Sequence, residues 1–404
     1  MEHVIIKRLK KEIVVEKLDD VTKFVDLANS IKKIESEGET LFYRGVQPYY
    51  KGKGTEYHEN FNKDVIIPKL YRDSLNEKEI IEAALDKYPN EFSNINSNIE
   101  VLLKLQHYEI PTRLLDITSN PFIATYFSLD NVPEEKNSKV YIFNSKDFVL
   151  KNTQSHTVEM IVSMSRLEIR LQENIKRNLF LYGALALCFT LDFYNMDNNE
   201  ENNIDISGVT IRKLEEINNI LQGCKYFKRL YKEAYADKFE CTEYDIMLAL
   251  GELISKEINS YNMFENILEL IQNKSLESYS YMFSNTVIAK FIEKHIKSQE
   301  EFQKLIGEIR RTYSYFDDRI NLFDFFQDYI VTTKNANDRI KNQNGAFILM
   351  SPLRTQLSKN LIDKQFDVKS SSDIMRLLSV LNINREFVYP ELNHFNYQKY
   401  KTEF

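Results

Sequence analysis

From about residue 155 to about residue 330 the chain reads as one amphipathic helix after another, and segments with strand character occur only on either side of that block. No other feature constrains the fold as tightly. A buried strand must pair its backbone N–H and C=O groups. The strand-like stretches Leu41-Phe42-Tyr43-Arg44-Gly45 and Lys139-Val-Tyr-Ile-Phe143 lie before the block, and Gly345 to Met350 lies after it. One sheet made from both ends of the chain, with the helical block hanging off it, accounts for all three. The fold class is therefore α+β, divided into an N-terminal part in 1–154, a helical insertion in 155–332 and a returning part in 333–404. The 404 residues include only 10 Gly and 8 Pro. That scarcity disfavours a turn-rich sandwich or barrel.

Finer signals fill in the elements. Asp19 and Asp20 precede Val21, Phe24, Val25, Leu27 and Ile31, which predicts a capped amphipathic helix ending at Gly38. Residues 47–63 read as a polar loop and Leu75 to Lys87 as a helix. Ser97-Asn-Ile-Glu100 is a capping box opening a helix that Pro111 stops. Asn120-Pro121 opens the next, with Asn as cap and Pro in the first position. Inside the block, Met160, Ile161, Met164, Leu167 and Leu171 form one apolar stripe, and residues 195–205 form an acidic polar loop. A last helix spans Ser371 to Leu381.

The longest apolar run, Leu179 to Leu191, is too short to span a bilayer and reads as a buried helix. The first residues are charged on both sides of a small apolar patch and do not resemble a signal peptide. Cys188, Cys224 and Cys241 are odd in number and show no ligand spacing, as expected for reduced thiols. A cytoplasmic, non-membrane protein is the expectation. With 53 Lys+Arg against 60 Asp+Glu, the net charge of −7 argues against a chain-wide cationic surface for nucleic acid.

Phosphate-loop, dinucleotide-fingerprint, zincin and nucleophile-elbow motifs are absent. What stands out is the polar density of Gln106 to Asn120, QHYEIPTRLLDITSN, read as a helix end, a proline turn and a helix start. Each residue has a plain structural role open to it. Arg113 and Asp116 suit an ion pair, and Thr118 or Asn120 a helix cap. His107 alone is more often a satisfied histidine than a catalyst, and Arg44 beside Gly45 more often a surface or paired arginine.

Taken together, these segments resemble a known family. Tyr43-Arg44-Gly45 looks like the (F/Y)RG signature of the FRG domain. Gln106-His-Tyr-Glu-Ile-Pro-Thr-Arg-Leu-Leu-Asp-Ile-Thr-Ser-Asn-Pro121 looks like its central motif, and Ala124 and Phe127 also fit. Asn335 to Phe347, with Arg339, Gln343 and Gly345, resembles a later segment, and Tyr389-Pro-Glu-Leu392 the closing one. The resemblance covers about 20–150 and 335–400. Glu109 stands where the family usually has Gly, which implies an ordinary turn conformation there rather than a left-handed one.

A weaker resemblance is to ADP-ribosyltransferases of the arginine–serine–glutamate type, in which an Arg on an early strand, an S-T-S-like segment and a later Glu form the site. Tyr43-Arg44-Gly45 is similar to the first element and Thr118-Ser119, leading to Ala124 and Phe127, to the second. Gln343 stands near the place of the Glu. This resemblance implies a small split or mixed sheet flanked by helices, and NAD as substrate with no metal. It assigns Arg44, Gly45, Gln106, Thr112, Arg113 and Thr118 to binding and His107, Ser119, Gln343 and Asp116 to catalysis. In the same reading Gln343, Asp116 or Glu391 faces the sugar. The implied protein is an NAD-consuming effector of a bacterial defence or toxin system, with a protein or RNA acceptor and an antitoxin or sensor partner. The helical insertion could hold an oligomer. Two other readings use the same residues: a non-catalytic nucleotide or nucleic-acid sensor, and a nuclease using His107 and Asp116, against which the acidic balance argues.

Overall fold

A computed structural model describes residues 67–390 apart from 135, 198–207, 233–239, 241, 256–260, 273–276, 317–319, 334–337 and 359–360, together with 15–18, 40–47, 49–50 and 57–58. The helix expected over residues 21–31, Gly38, Cys241, Glu391 and Leu392 lie outside the described residues. Ten strands are described: β1 (Val15–Leu18), β2 (Leu41–Val46), β3 (Tyr49–Tyr50), β4 (Tyr57–His58), β5 (Leu114–Thr118), β6 (Asn137–Asn144), β7 (Val149–Asn152), β8 (Tyr329–Thr332), β9 (Gly345–Leu349) and β10 (Lys364–Lys369). Eight form one mixed sheet in the order β1-β10-β6-β2-β5-β9-β8-β7, and β3 and β4 pair as a separate hairpin. Both ends of the chain do build one α+β sheet. The C-terminal β9 pairs antiparallel with β5, and β10 with β6.

Seven of the ten described strands, β1, β3, β4, β5, β7, β8 and β10, depart from the sequence reading, and β8 falls inside the range read as the helical insertion. The span between the motif helix Asn98–His107 and the next helix is not only a turn, because Leu114–Thr118 is a strand at the centre of the sheet. Its Leu-Leu-Asp-Ile-Thr pattern buries every residue but Asp116, so alternation shorter than a usual strand signal was masked by the polar residues around it. Residues 47–63 are likewise not all loop, since they include the β3–β4 hairpin.

Alternation along the strands gives the sheet two apolar faces. Phe42, Leu115, Ile117, Tyr141, Phe143, Ile330 and Ile348 share one core. The opposite face is covered in two halves. Tyr43, Val140 and Ile142 pack with the Pro121–Leu129 and Ser372–Val380 helices. Leu114, Tyr329, Val331, Phe347 and Leu349 join the core of the helical block. That block is therefore continuous with the sheet rather than hung from it. Its centre is the helix Ile169–Asp197, where Leu179 to Leu191 is buried throughout. β7 and β8 run parallel at the sheet edge, with the helical block between them in sequence.

The sheet is nearly divided in the middle. β2 pairs with β6 over six residues but with β5 only at Tyr43 and Thr118. Beyond that point the β2 backbone at Arg44 to Val46 is paired on one side only, and the strand edge that β5 presents at Asp116 faces an opening.

Candidate functional site at the sheet split

A cleft of about 600 Å³ opens where β2 and β5 part. Its walls come from four places: Tyr43 to Val46 on β2 with Gln47 just past it, Asp116 to Thr118 on β5, Leu103, Gln106 and His107 on the motif helix, and Arg339, Ile340, Gln343 and Gly345 to Phe347 near β9. Arg72 and Phe127 complete it.

Each wall has a local physical cause. Ser97 caps the motif helix by accepting from Glu100 N at 3.3 Å. The helix ends in a Schellman turn: Ile110 N–H donates to Leu105 O at 3.0 Å and Glu109 N–H to Gln106 O at 2.9 Å. Glu109 adopts φ 60° there, so the expected ordinary turn is corrected to a left-handed one. The two hydrogen bonds and the contact of Ile110 with the core that holds Leu105 override the side chain's preference. This turn leaves Gln106 and His107 on the cleft. Asn120 caps the following helix through Oδ1, accepting from Phe122 N at 2.9 Å and Ile123 N at 3.4 Å. The helix packs so closely on β2 that a Cβ on Gly45 would meet the Ala124 carbonyl and sit 2.8 Å from Ser128 N.

Polar contacts cross the split. Arg44 Nη1 donates to the Asp116 carbonyl at 2.7 Å. Gln106 Nε2 donates to Asp116 Oδ1 at 2.5 Å, and Thr112 Oγ1 donates to Gln106 Oε1 at 3.1 Å. Thr118 Oγ1 donates to the Gln343 carbonyl at 2.6 Å and accepts from Asn120 N at 2.9 Å. On the far wall, Arg339 Nη1 donates to the His107 carbonyl at 3.1 Å, and its guanidinium lies 4.9 Å from the Tyr389 ring centre. Gln343 Nε2 donates to Val388 O at 3.0 Å. Burial, with Asp130 adding to it, pushes the Tyr389 phenol up to about 12.

Of the ten residues singled out from sequence, Arg44, Gly45, Gln106, His107, Asp116, Thr118 and Gln343 line this cleft. Three do not. Arg113 is buried and turned to Glu77, with Nε at 2.6 Å from Oε2, and its backbone N–H donates to Oε1 at 3.0 Å. Its expected ion pair with Asp116 is thereby corrected to one with Glu77. Burial works against the Arg113 charge, but Glu77 and Tyr71 together outweigh it and leave the guanidinium pKa above its ordinary value. Thr112 is buried beneath Gln106. Ser119 lies past the end of β5, where its N–H donates to Asn344 O at 3.1 Å. Sequence reasoning missed Arg72 and Gln47, which stand in no recognisable motif.

An FRG domain family model matches residues 39–137. Those residues run from the start of β2 to the start of β6 and supply three of the cleft's walls together with Arg72 and Phe127. The chain carries an FRG domain. The match is shorter than the resemblance read from sequence, and the Arg339 to Phe347 wall lies beyond it. The FRG domain thus supplies Arg44, His107 and Asp116, and the returning C-terminal segment closes the cleft against them. No curated protein and no solved structure matches the chain.

Among the described residues lining the cleft, Asp116 is the sole carboxylate, set among Arg44, Arg72, Arg339 and His107. Among the described residues no group of three or more His, Cys, Asp or Glu side chains is placed to hold a metal ion. No helix of the described residues is long and apolar enough to cross a membrane. Such a cleft can hold an anionic ligand through planar guanidinium forks while presenting one acceptor carboxylate to another part of it.

Proposed function

We propose that the cleft binds NAD and cleaves its nicotinamide–ribose bond, delivering ADP-ribose to an acceptor hydroxyl or to water. The observation that carries this reading is the convergence of Arg44, Arg72 and Arg339, from three separate segments, on one cleft that also holds His107 and Asp116. The sheet split at Tyr43 and Thr118 supports a sheet of the ADP-ribosyltransferase-like type. The arginines suit the pyrophosphate. Asp116 suits the ribose carbon on which positive charge grows as the bond breaks, a role for a preorganised negative group. The N-glycosidic electron pair leaves with nicotinamide and neutralises its ring. The acceptor oxygen bonds the same carbon, and its proton passes to His107. Asp116 takes the sugar-facing part, since the Gln343 side-chain amide is engaged with Val388 O. An intracellular effector in a defence or toxin system is the setting this chemistry suits.

Incubating the purified protein with labelled NAD, with and without cell extract, tests the reading. Nicotinamide release or label transfer is expected, and Asp116→Ala should lower it by at least about a hundredfold. Absence of both products from folded protein contradicts it. A binding-only role is favoured by one observation, the engagement of Gln343 at the place of the catalytic Glu. In that case a nucleotide binds, Arg44→Ala weakens it, and no product forms.

A further inference from the structure

The cleft's carboxylate is held by a chain of hydrogen bonds whose direction is set by the carboxylate itself. At one end the Leu114 N–H, which can only donate, reaches Thr112 Oγ1 at 3.3 Å. At the other end the Asp116 carboxylate accepts from Gln106 Nε2. Between them the Thr112 hydroxyl donates to Gln106 Oε1. A glutamine amide can be turned over to exchange its oxygen and nitrogen, but here only one orientation turns an N–H to the carboxylate, which can only accept. The relay is also rooted in the sheet, because Thr112 is 3% exposed and Leu114 opens β5.

We propose that Thr112 and Gln106 are positioning residues that act through Asp116, and not ligand-binding residues as their place in the motif implies. The relay anchors Oδ1 and turns the other carboxylate oxygen to the cleft as an acceptor. The group facing it is then a donor or a cation, such as a ribose hydroxyl or the nicotinamide-bearing sugar, while the phosphates go to the arginines. The role of Asp116 toward its ligand rests on the NAD reading above; the relay itself does not.

The ligand-free, full-length protein labelled with 15N-glutamine separates the two. A Gln106 side-chain amide proton shifted downfield and slow to exchange is expected in the wild type and in Thr112→Ser. In Thr112→Val, which keeps the shape and removes the hydroxyl, the shift is lost and exchange speeds up at least about tenfold. Asp116→Ala loses the signal as well. A wild-type signal in folded Thr112→Val overturns the relay. With NAD, Thr112→Val should lower kcat for nicotinamide release by at least about tenfold with KM little changed, as misplacement of a reacting group does. An unchanged kcat overturns the positioning role. If the wild type releases no nicotinamide, the NAD reading falls and the amide signal alone decides the relay.

Discussion

Gly45 has no side chain because the Ala124 carbonyl lies where its Cβ would be, and Ser128 N is 2.8 Å away. Both obstacles are backbone of one helix, so neither moves without shifting that helix off β2. Gly45→Ala should therefore cost about 3 kcal/mol or more in urea unfolding, the upper range for overpacking a core. Gly45 was legible in the sequence as part of a motif, but its reason was not, since the helix it touches lies some way along the chain. Glu109 shows the opposite error. The departure from Gly was visible, yet the conformation was misjudged, because the Schellman hydrogen bonds at Glu109 and Ile110 hold the left-handed turn whatever residue occupies it. Glu109→Gly should stabilise the protein by about 1 kcal/mol by relieving that strain. An unfolding midpoint that falls instead would contradict the turn as described.

At the scale of elements, the motif helix Asn98–His107 has its N-terminus capped by the helical block. Glu159 is fully buried and accepts from Asn98 N and Asn98 Nδ2 at 2.9 Å and from Ile99 N at 3.3 Å. Thr312 Oγ1 reaches the same carboxylate at 2.9 Å. Two orphan amides of the helix that carries Gln106 and His107 thus depend on a residue far along the chain. Glu159→Ala leaves these donors buried and should cost about 3 kcal/mol in urea unfolding. Loss below a few tenths of that figure would show that the cap is dispensable. The Ser97 cap, the Asn120 cap and the strands at 139–143 and 345–350 were readable because each is set by neighbours in sequence. Glu159 was not, since a lone Glu on an apolar helix face carries no local signal, and neither was the Arg113–Glu77 pair.

The whole molecule joins its parts through one parallel pair. β7 and β8 lie side by side and point the same way, so the chain between them must cross from one end of the sheet to the other. The helical block makes that crossing and covers Leu114, Phe347 and Leu349 as it does so. Deleting residues 155–327 with a short linker should give insoluble protein, read as loss of soluble yield and of the circular dichroism of the sheet. A soluble, folded remainder would show the block to be a separable domain. The sequence could not reveal this continuity, because an amphipathic stripe does not say which surface it covers. The same assembly brings Arg339 across to the FRG domain and makes the cleft. Calorimetric titration of the folded full chain with ADP-ribose measures the central claim most directly. Saturable binding is expected, weakened at least about tenfold by Arg44→Ala and by Arg72→Ala and less by Arg44→Lys, which keeps charge but loses the fork. No binding, or binding unchanged in both alanine variants, would contradict a nucleotide site at the split.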